Sequence, residues 1–237
     1  MISWLGPRDA FPPVAAALRD PNGLLAAGGD LSVPRLLDAY ARGIFPWSGE
    51  GEPLLWWSPD PRMVLWLREL HVSRSLARRI RAGPYTVTLD TAFGDVVRAC
   101  AAPRAGRHGT WITPAMIEAY TRLAVLGHAH SIEVWVHGAL AGGLYGVALG
   151  QMFFGESMFS RWRDGSKLAL VFLVRQLERW GFELVDCQLA TAHLSSLGAR
   201  EIPRAEFLRH VERLVRQPAP PAPWVLDADL REPAGTM

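Results

Sequence analysis

The stretch that decides the fold is MFFGESMFSRWRDGSKLALVFLVRQLERWGFELVDCQ, residues 152–188. Its middle part, Ser166 to Trp180, has the strongest helical pattern in the chain, and Gly181 closes it as glycines commonly do after a helix end. An apolar strand segment, Ala139 to Phe154, precedes the helix, and Phe182 to Gln188 is typical of a strand after it. This strand–helix–strand order predicts an α/β or α+β sheet covered by helices.

The flanking sequence predicts further strands and helices. Strands are expected at Ile132 to Val136, joined to Ala139 by a His137-Gly138 turn, and at Tyr85 to Leu89. Helices are expected at Pro34 to Arg42 (cap Ser32, stop Gly43), at His71 to Ile80 (cap Ser73), and from Thr113-Pro114 to near Gly127.

Proline positions suggest how the chain is divided. Asp60-Pro61 predicts a hinge, because the residue before a proline is pushed out of helical conformation. The tail from Gln217 to Pro223 holds four prolines and is expected to run extended over the surface. We therefore expect a small N-terminal domain (1–61), a larger domain (62–216) and a Pro-rich tail (217–237).

Composition is that of an ordinary globular chain. It has 237 residues, 49% of them apolar and 20% charged, so it can bury a sizeable core. No apolar run reaches the length of about 20 residues that a membrane helix needs. Cys100 and Cys187 form neither a disulfide framework nor a zinc site, and the seven histidines lack metal-ligand spacing. We expect a cytoplasmic protein without a metal.

Charge is unevenly distributed along the chain. Between Arg62 and Arg107 nine arginines stand against three acidic residues, a local charge of +6, so the remainder carries −4 of the overall +2. A polyanionic partner should therefore bind the first half.

Four arginines follow Ser73 on one predicted helix. Arg74, Arg78 and Arg81 fall within about 60° of one another on a helical wheel, and Arg79 lies beside them. Such a stripe is either a solvated charged face or a row of phosphate contacts. The lack of acidic residues on this helix favours phosphates.

Asp186 and Gln188 end the Phe182 strand on one face, because side chains alternate along a strand. Their apolar neighbours Phe182 and Leu184 favour a raised carboxyl pKa unless hydrogen bonds oppose it. A carboxylate with an amide two residues on can hold the N–H of a nucleophile and accept its proton. The alternative is an Asp that caps the following helix or turn, and the spacing leaves both interpretations open.

Glu156 lies in the segment Gly155 to Ser160, among aromatic and small hydroxyl residues. This setting fits either a pocket that receives a cation or a glycine bulge with a solvated carboxylate. Lys167, behind Ser166 as a cap, is either an ordinary first-turn residue or a functional one.

Ten tryptophans are many for this length, and Trp47, Trp56 and Trp57 cluster before the hinge, near Tyr40. Aromatic rings beside a basic helix suit unstacked bases, at about 1–3 kcal/mol per stacked base. Core filling is the favoured interpretation for Trp66, Trp135 and Trp180. The chain has no G-x-x-x-x-G-K-[ST] loop, so ATP hydrolysis is not expected, and it has no G-x-S-x-G elbow.

Together these segments resemble the leucyl/phenylalanyl-tRNA–protein transferase family, from about residue 3 to residue 212. The matching stretches are Gly23 to Ala26, Gly29 to Leu31, Ala39 to Trp47, Trp56 to Arg62, Thr110 to Thr113, Gly155 to Arg161, Ser166-Lys167, Asp186 to Gln188, His193-Leu194 and Ser196 to Ala199. Gly165 stands where the family pattern has Ala.

The resemblance implies an α+β fold with a small N-terminal α/β domain and a larger acetyltransferase-like (GNAT-related) mixed-sheet domain covered by helices. The acyl-CoA loop of that superfamily, Arg/Gln-x-x-Gly-x-Gly/Ala, occurs nowhere in the chain. The implied reaction moves Leu, Phe or Met from aminoacyl-tRNA to the α-amine of proteins that begin with Lys or Arg. This step marks proteins for N-end-rule degradation and uses no cofactor.

The resemblance also implies roles for single residues. Asp186 would act as the base with Gln188, and Glu156 would stand near the reacting amine. The other implied sets are a donor side-chain pocket of Leu144, Phe153, Leu173 and Val185, an adenosine site of Tyr40, Trp47 and Trp111, and phosphate contacts from Arg74, Arg78, Arg79 and Arg81.

Two other functions are compatible with the same residues. One is a peptidoglycan-type aminoacyl-tRNA transferase on a related fold, which would extend a cell-wall precursor. The other is a non-catalytic tRNA- or peptide-binding protein, in which the Asp186–Gln188 pair would be incidental.

Overall fold

A computed structural model describes residues 2–49, 51–103 and 110–231 of the chain. In these parts the strands are β1 (Ser3–Leu5), β2 (Leu24–Gly28), β3 (Phe45–Pro46), β4 (Leu55–Trp57), β5 (Arg62–Trp66), β6 (Tyr85–Leu89), β7 (Ala129–Val136), β8 (Ala139–Leu149), β9 (Met152–Ser160), β10 (Leu184–Gln188) and β11 (Arg200–Ile202). The α-helices are α1 (Val33–Ala41), α2 (Arg74–Ala82), α3 (Phe93–Ala101), α4 (Pro114–Val125), α5 (Gly165–Arg179), α6 (Ala192–Ser195) and α7 (Arg204–Leu214). None of these helices is both long and apolar enough to cross a membrane.

The first 57 residues build a small four-stranded sheet in the order β1-β2-β4-β3. Helix α1 follows β2, and it begins after Ser32 and stops before Gly43, as the sequence predicts. Gly43 has φ +69°, the left-handed conformation that a glycine adopts at a helix end without steric cost. All strands after residue 61 belong to a second sheet, and the proposed domain limits stay a prediction.

The second sheet has seven strands in the order β11-β5-β10-β9-β8-β7-β6. Strands β9 and β10 run parallel and are connected by α5, whereas the other neighbouring pairs are antiparallel. The strand–helix–strand order that the sequence predicts is therefore the centre of this sheet. The predicted mixed α+β architecture is confirmed.

Helices cover both faces of the large sheet because its central strands are apolar on both sides. On β8, Tyr145 and Val147 face one core, which includes residues of α1, α3 and α4. Their neighbours Leu144 and Ala148 face a second core, which α2 and α5 complete. This alternation is the period-2 pattern of a strand.

The segment Ala139 to Phe154, expected as continuous strand, is two strands instead. Gly150 adopts φ +56° and reverses the chain between β8 and β9. Apolar residues continue on both sides of this turn, so hydrophobic pattern alone did not reveal it. The His137-Gly138 turn is as predicted, and both residues have the positive φ of a tight hairpin connection.

The C-terminal tail first follows the surface and then enters the core. Residues 217–223 contain neither helix nor strand and are mostly exposed, as the prolines predict. Trp224, Leu226 and Leu230 are buried again. The last six residues of the predicted tail, 232–237, lie outside the described part of the chain.

Candidate active site

The site lies where the parallel strands β9 and β10 separate. They pair only at Phe153–Val185 and Phe154–Asp186. Beyond this point β9 continues along β8, while β10 shifts register against β5. The carboxyl ends of the two strands therefore diverge, and a cleft outside the carboxyl ends of parallel strands is a common ligand site in open sheets.

A cavity of about 1020 Å³ fills this cleft, a size typical of small-molecule sites. Its lining includes all four residues of the predicted donor pocket, Leu144, Phe153, Leu173 and Val185, and all four belong to the second core. Met158 and Leu170 also line it and were missed from the sequence. The lining also carries aromatic and polar groups, so the cavity offers both apolar and polar surface to a ligand.

Glu156 reaches the cavity from a β-bulge. Tyr145 pairs with Ser157 and Gly146 pairs with Gly155, so Glu156 is an extra residue in β9 that opposes no residue of β8. A bulge interrupts the strand alternation and redirects a side chain. The glycine bulge considered for this segment is present. The solvated carboxylate is not, because only 9% of Glu156 is exposed.

Three side chains donate hydrogen bonds to the Glu156 carboxylate. The Tyr40 hydroxyl donates to Oε1 at 2.8 Å, the Tyr120 hydroxyl to Oε2 at 2.8 Å, and Gln188 Nε2 to Oε1 at 2.9 Å. The two hydroxyl oxygens lie 2.5 Å apart. Burial raises the pKa of Glu156 from 4.5 to about 7, although the hydrogen bonds from the tyrosines oppose it. Near neutral pH this carboxyl can therefore take up or release a proton.

Asp186 is held away from the cavity by an arginine. Its fully buried carboxylate accepts hydrogen bonds from Arg62 Nε at 2.8 Å and Nη2 at 2.6 Å. Its Oδ1 also accepts the backbone N–H of Gln188 at 2.9 Å, as the turn-capping alternative predicts. This geometry corrects the expectation that Asp186 itself faces the reacting groups. That Asp186 contributes to catalysis stays a prediction, and it would do so by fixing the turn that carries Gln188.

Arg62 is the buried partner that the sequence did not reveal. Its guanidinium lies between the rings of Phe45 and Phe207, at 4.8 and 4.5 Å from their centroids. Nη1 donates to the Gly43 carbonyl at 3.2 Å. A fully buried Asp requires a cation or several hydrogen-bond donors. The apolar strand around Asp186 therefore indicated that it has such a partner, but not which residue it is.

The aromatic residues expected to hold adenosine divide into two groups. Trp47 and Trp111 line the cavity, and Trp47 is 39% exposed. The expected contact of Tyr40 with adenosine is corrected, because its ring is 99% buried and its hydroxyl is occupied by Glu156 and Tyr120. Tyr40 supports the carboxylate instead.

The arginines of α2 also divide into two groups. Arg74, Arg78 and Arg81 are exposed, and no ion pair is found for them within the described ranges. Arg79 has partners within the protein, and its predicted phosphate contact stays a prediction. Its Nε lies 3.1 Å from Asp164 and its guanidinium lies over Trp162. Arg104 and Arg107, which add to the basic first half, lie outside the described residues.

Residues 64–212 match the family model described as leucyl/phenylalanyl-tRNA protein transferase, and residues 29–60 match the model of its N-terminal domain. This chain belongs to the leucyl/phenylalanyl-tRNA protein transferase family. It is an aminoacyltransferase that uses an aminoacyl-tRNA and a protein as substrates.

Similar proteins of this transferase family align over nearly the whole chain. A leucyl/phenylalanyl-tRNA–protein transferase of Nitrosospira multiformis is 60% identical over 96% of this chain and 98% of its own length. One from Thiobacillus denitrificans is 62% identical over 92% of this chain and 96% of its own.

Solved structures align more distantly with this transferase. A GCN5-related N-acetyltransferase from Kribbella flavida aligns at 11% identity and a TM-score of 0.37, over 67% of this chain and 56% of that chain. The L-PGS of Bacillus licheniformis aligns at 9% identity and a TM-score of 0.40, over 70% of this chain and 53% of that chain.

Cys187 also lines the transferase cavity, and burial raises the pKa of its thiol, which favours the protonated form. Within the described ranges no group of three or more His, Cys, Asp or Glu residues is placed to hold a metal ion.

Proposed function

We propose that this transferase moves Leu, Phe or Met from aminoacyl-tRNA to the α-amine of proteins that begin with Lys or Arg. The modified proteins are thereby marked for N-end-rule degradation in the cytoplasm, where aminoacyl-tRNA is made. The observation that carries the proposal is a single cavity that combines an apolar pocket with a buried carboxyl whose pKa is about 7.

The apolar residues that line the cavity support the choice of donor. Leu144, Phe153 and Leu173 offer no hydrogen-bond partner to a donor side chain. A polar or charged side chain would lose its hydrogen bonds with water there, at a cost of about 1–3 kcal/mol or more. Leu, Phe and Met lose none and gain from burial. The pocket therefore favours these donors through their side chains.

The proposed reaction is an aminolysis of the aminoacyl ester. The acceptor amine nitrogen attacks the ester carbonyl, a C–N bond forms, and the C–O bond to the ribose breaks. The nitrogen loses one proton and the leaving ribose oxygen gains one, so the reaction needs no cofactor. Most of the acceleration comes from holding amine and ester together.

Glu156 is the group we assign to the proton transfer. It lines the cavity, and its pKa of about 7 lies close to the 7.7–8.0 that is typical of an α-amine. A base whose pKa lies near the working pH is partly deprotonated and still basic enough to accept the proton of the amine. Such a base typically raises the rate by about 10²–10⁴. Gln188 holds the carboxylate in place, and Asp186 acts through the turn that carries Gln188.

The aromatic and charged residues of the cavity lining support binding of the tRNA end and of the acceptor. Trp47 and Trp111 offer rings against which the terminal adenosine can stack. The Glu156 carboxylate, where ionised, attracts a cationic N-terminal residue. The exposed arginines of α2, Arg74, Arg78 and Arg81, are assigned to phosphates of the acceptor stem.

Transfer of label tests the proposal. The protein is incubated with labelled Phe-tRNA and a peptide that begins with Arg, and the peptide is analysed for label. We expect label on that peptide and on one beginning with Lys, and none on an N-acetylated control. In a parallel reaction that holds a peptidoglycan precursor in place of the peptide, label on the precursor would identify the cell-wall alternative. Binding of the tRNA in a filter assay without transfer in either reaction would identify a non-catalytic protein.

A further inference from the structure

The C-terminal tail returns to the protein at a tryptophan beyond the region that the family model matches, which ends at residue 212. Trp224 is 94% buried. Its indole stacks on the His130 ring at 3.5 Å and 7°, and it lies 4.7 Å from Trp180 and 6.1 Å from Phe182, measured between ring centroids. Trp224 is therefore an integral part of the second core and not a surface residue.

Polar contacts fix the chain on the C-terminal side of this tryptophan. Arg179, at the end of α5, pairs with Asp227 at 2.6 Å and Asp229 at 2.7 Å. The backbone N–H of Asp227 donates to Gln176 Oε1 at 2.8 Å. The position of Trp224 relative to α5 is thus determined by several independent contacts.

Trp224 also faces a residue of the donor pocket. The Phe153 ring lies 6.5 Å from the indole in a stacked arrangement, with 28° between the planes. Phe153 lines the cavity beside Leu144, Leu173 and Val185. The same ring lies against the backbone of Gly146, where an added Cβ would be 2.5 Å from Phe153 Cε1. Phe153 therefore has little room to move as long as Trp224 is in place.

We propose that the tail sets the size of the donor pocket, with Trp224 as the positioning residue that acts through Phe153. Protein interiors are close-packed, so removal of the indole leaves a void beside Phe153. Phe153 can then move away from the cavity, and the pocket becomes larger and less complementary to a small side chain. The inference rests on the proposed assignment of this pocket to the donor side chain.

Donor selectivity tests the inference. The values of kcat and KM are measured with Leu-tRNA and Phe-tRNA and one Arg-initiated peptide, for the wild type, Trp224→Ala, Trp224→Phe and Leu230→Ala. Leu230 is a matched control because it is buried in the same tail and is not found among the residues that line the cavity. Where Trp224→Ala does not fold, Trp224→Leu removes the ring with a smaller loss of apolar volume.

We expect Trp224→Ala to raise the KM for Leu-tRNA and to shift the kcat/KM ratio toward Phe-tRNA by about 10-fold, the scale of a one-methylene mismatch in an apolar pocket. Its kcat with Phe-tRNA should stay near that of the wild type, because Glu156 is untouched. Trp224→Phe should keep the ratio of the two kcat/KM values near that of the wild type. Leu230→Ala should lower the melting temperature and leave the ratio unchanged.

Two results would overturn the inference while leaving the proposed function intact. One is an unchanged ratio in a folded Trp224→Ala or Trp224→Leu variant. The other is an equal change in Leu230→Ala, which would make the tail a general stabiliser. A wild-type protein that transfers neither residue would overturn the proposed function itself, and the inference with it.

Discussion

Replacing Glu156 with Gln removes a proton acceptor while preserving the size of the side chain. The Gln188 amide can flip and the hydroxyls of Tyr40 and Tyr120 can rotate, so the new amide can still be hydrogen-bonded. We expect the rate of transfer to fall by about 10²–10⁴, the contribution typical of a positioned base. Donor binding should change little, because the apolar pocket is untouched.

The same substitution should increase stability at high pH. The pKa of Glu156 rises from 4.5 to about 7 on folding, which corresponds to about 3 kcal/mol. Below pH 4.5 the carboxyl is protonated in both the folded and the unfolded chain, and its contribution to stability is fully present. As the pH rises through 7, that contribution is lost, because the unfolded chain releases the proton more readily. Gln does not titrate, so its advantage grows between pH 5 and pH 8.

Two assays measure these opposite effects. Single-turnover transfer of labelled Phe at saturating acceptor gives the rate, and urea unfolding at pH 5 and pH 8 gives the free energy of unfolding. A variant with a rate within about threefold of the wild type would refute the assignment of Glu156 as the base. A stability difference that does not change with pH would refute the raised pKa.

Three further predictions concern the buried Arg62–Asp186 pair, the arginines of α2 and the titration of Glu156. Arg62→Met should lower the free energy of unfolding in urea by about 3–5 kcal/mol, because it leaves the Asp186 charge buried and unpaired. The double variant Arg62→Met with Asp186→Leu should regain most of that stability, while its rate of transfer stays low. A double variant as unstable as the single one would contradict this. Arg74→Ala with Arg78→Ala should weaken tRNA binding and flatten its salt dependence in filter binding, whereas an unchanged slope would move the phosphate contacts elsewhere. The kcat of the wild type should rise with pH through about 7 as Glu156 loses its proton, and a profile flat from pH 5.5 to 8 would contradict its role.

The fold was largely predictable because its central unit is regular. The apolar pattern of α5 and of the strands before and after it places β9 and β10 side by side without information from distant residues. The turn at Gly150 was missed because the strands on both sides of it are apolar and only Gly150 and Gln151 interrupt them. The hydrophobic pattern of a sequence locates a turn only where buried and exposed residues alternate or where a buried segment ends.

The sequence named residues that lie close together in the candidate site, but it gave no signal for their partners. Glu156, Gln188 and the four residues of the predicted donor pocket line one cavity, and their roles there stay a prediction. The partners of these groups come from remote positions: Tyr40 from α1 and Tyr120 from α4 hold Glu156, and Arg62 of β5 holds Asp186. Local spacing carries no signal for contacts across more than 30 residues.

Irregular strand pairing decides which carboxylate lines the cavity. The extra residue in β9 brings Glu156 into the cavity, and the register shift at the end of β10 lets Gln188 reach it while Asp186 turns to Arg62. Strict alternation along β10, as assumed from the sequence, treats Asp186 and Gln188 as equivalent. The difference between Asp186 and Gln188 depends on the register shift between them in β10, which only the three-dimensional structure reveals.

The most direct measurement is a crystal structure of the protein with phenylalanine joined to adenosine through a stable amide. We predict the phenyl ring between Phe153 and Leu173, the adenine against Trp47 or Trp111, and the carbonyl carbon beside the Glu156 carboxylate, with Asp186 still paired to Arg62. A carbonyl that lies away from Glu156, or a phenyl ring away from Phe153 and Leu173, would contradict this account.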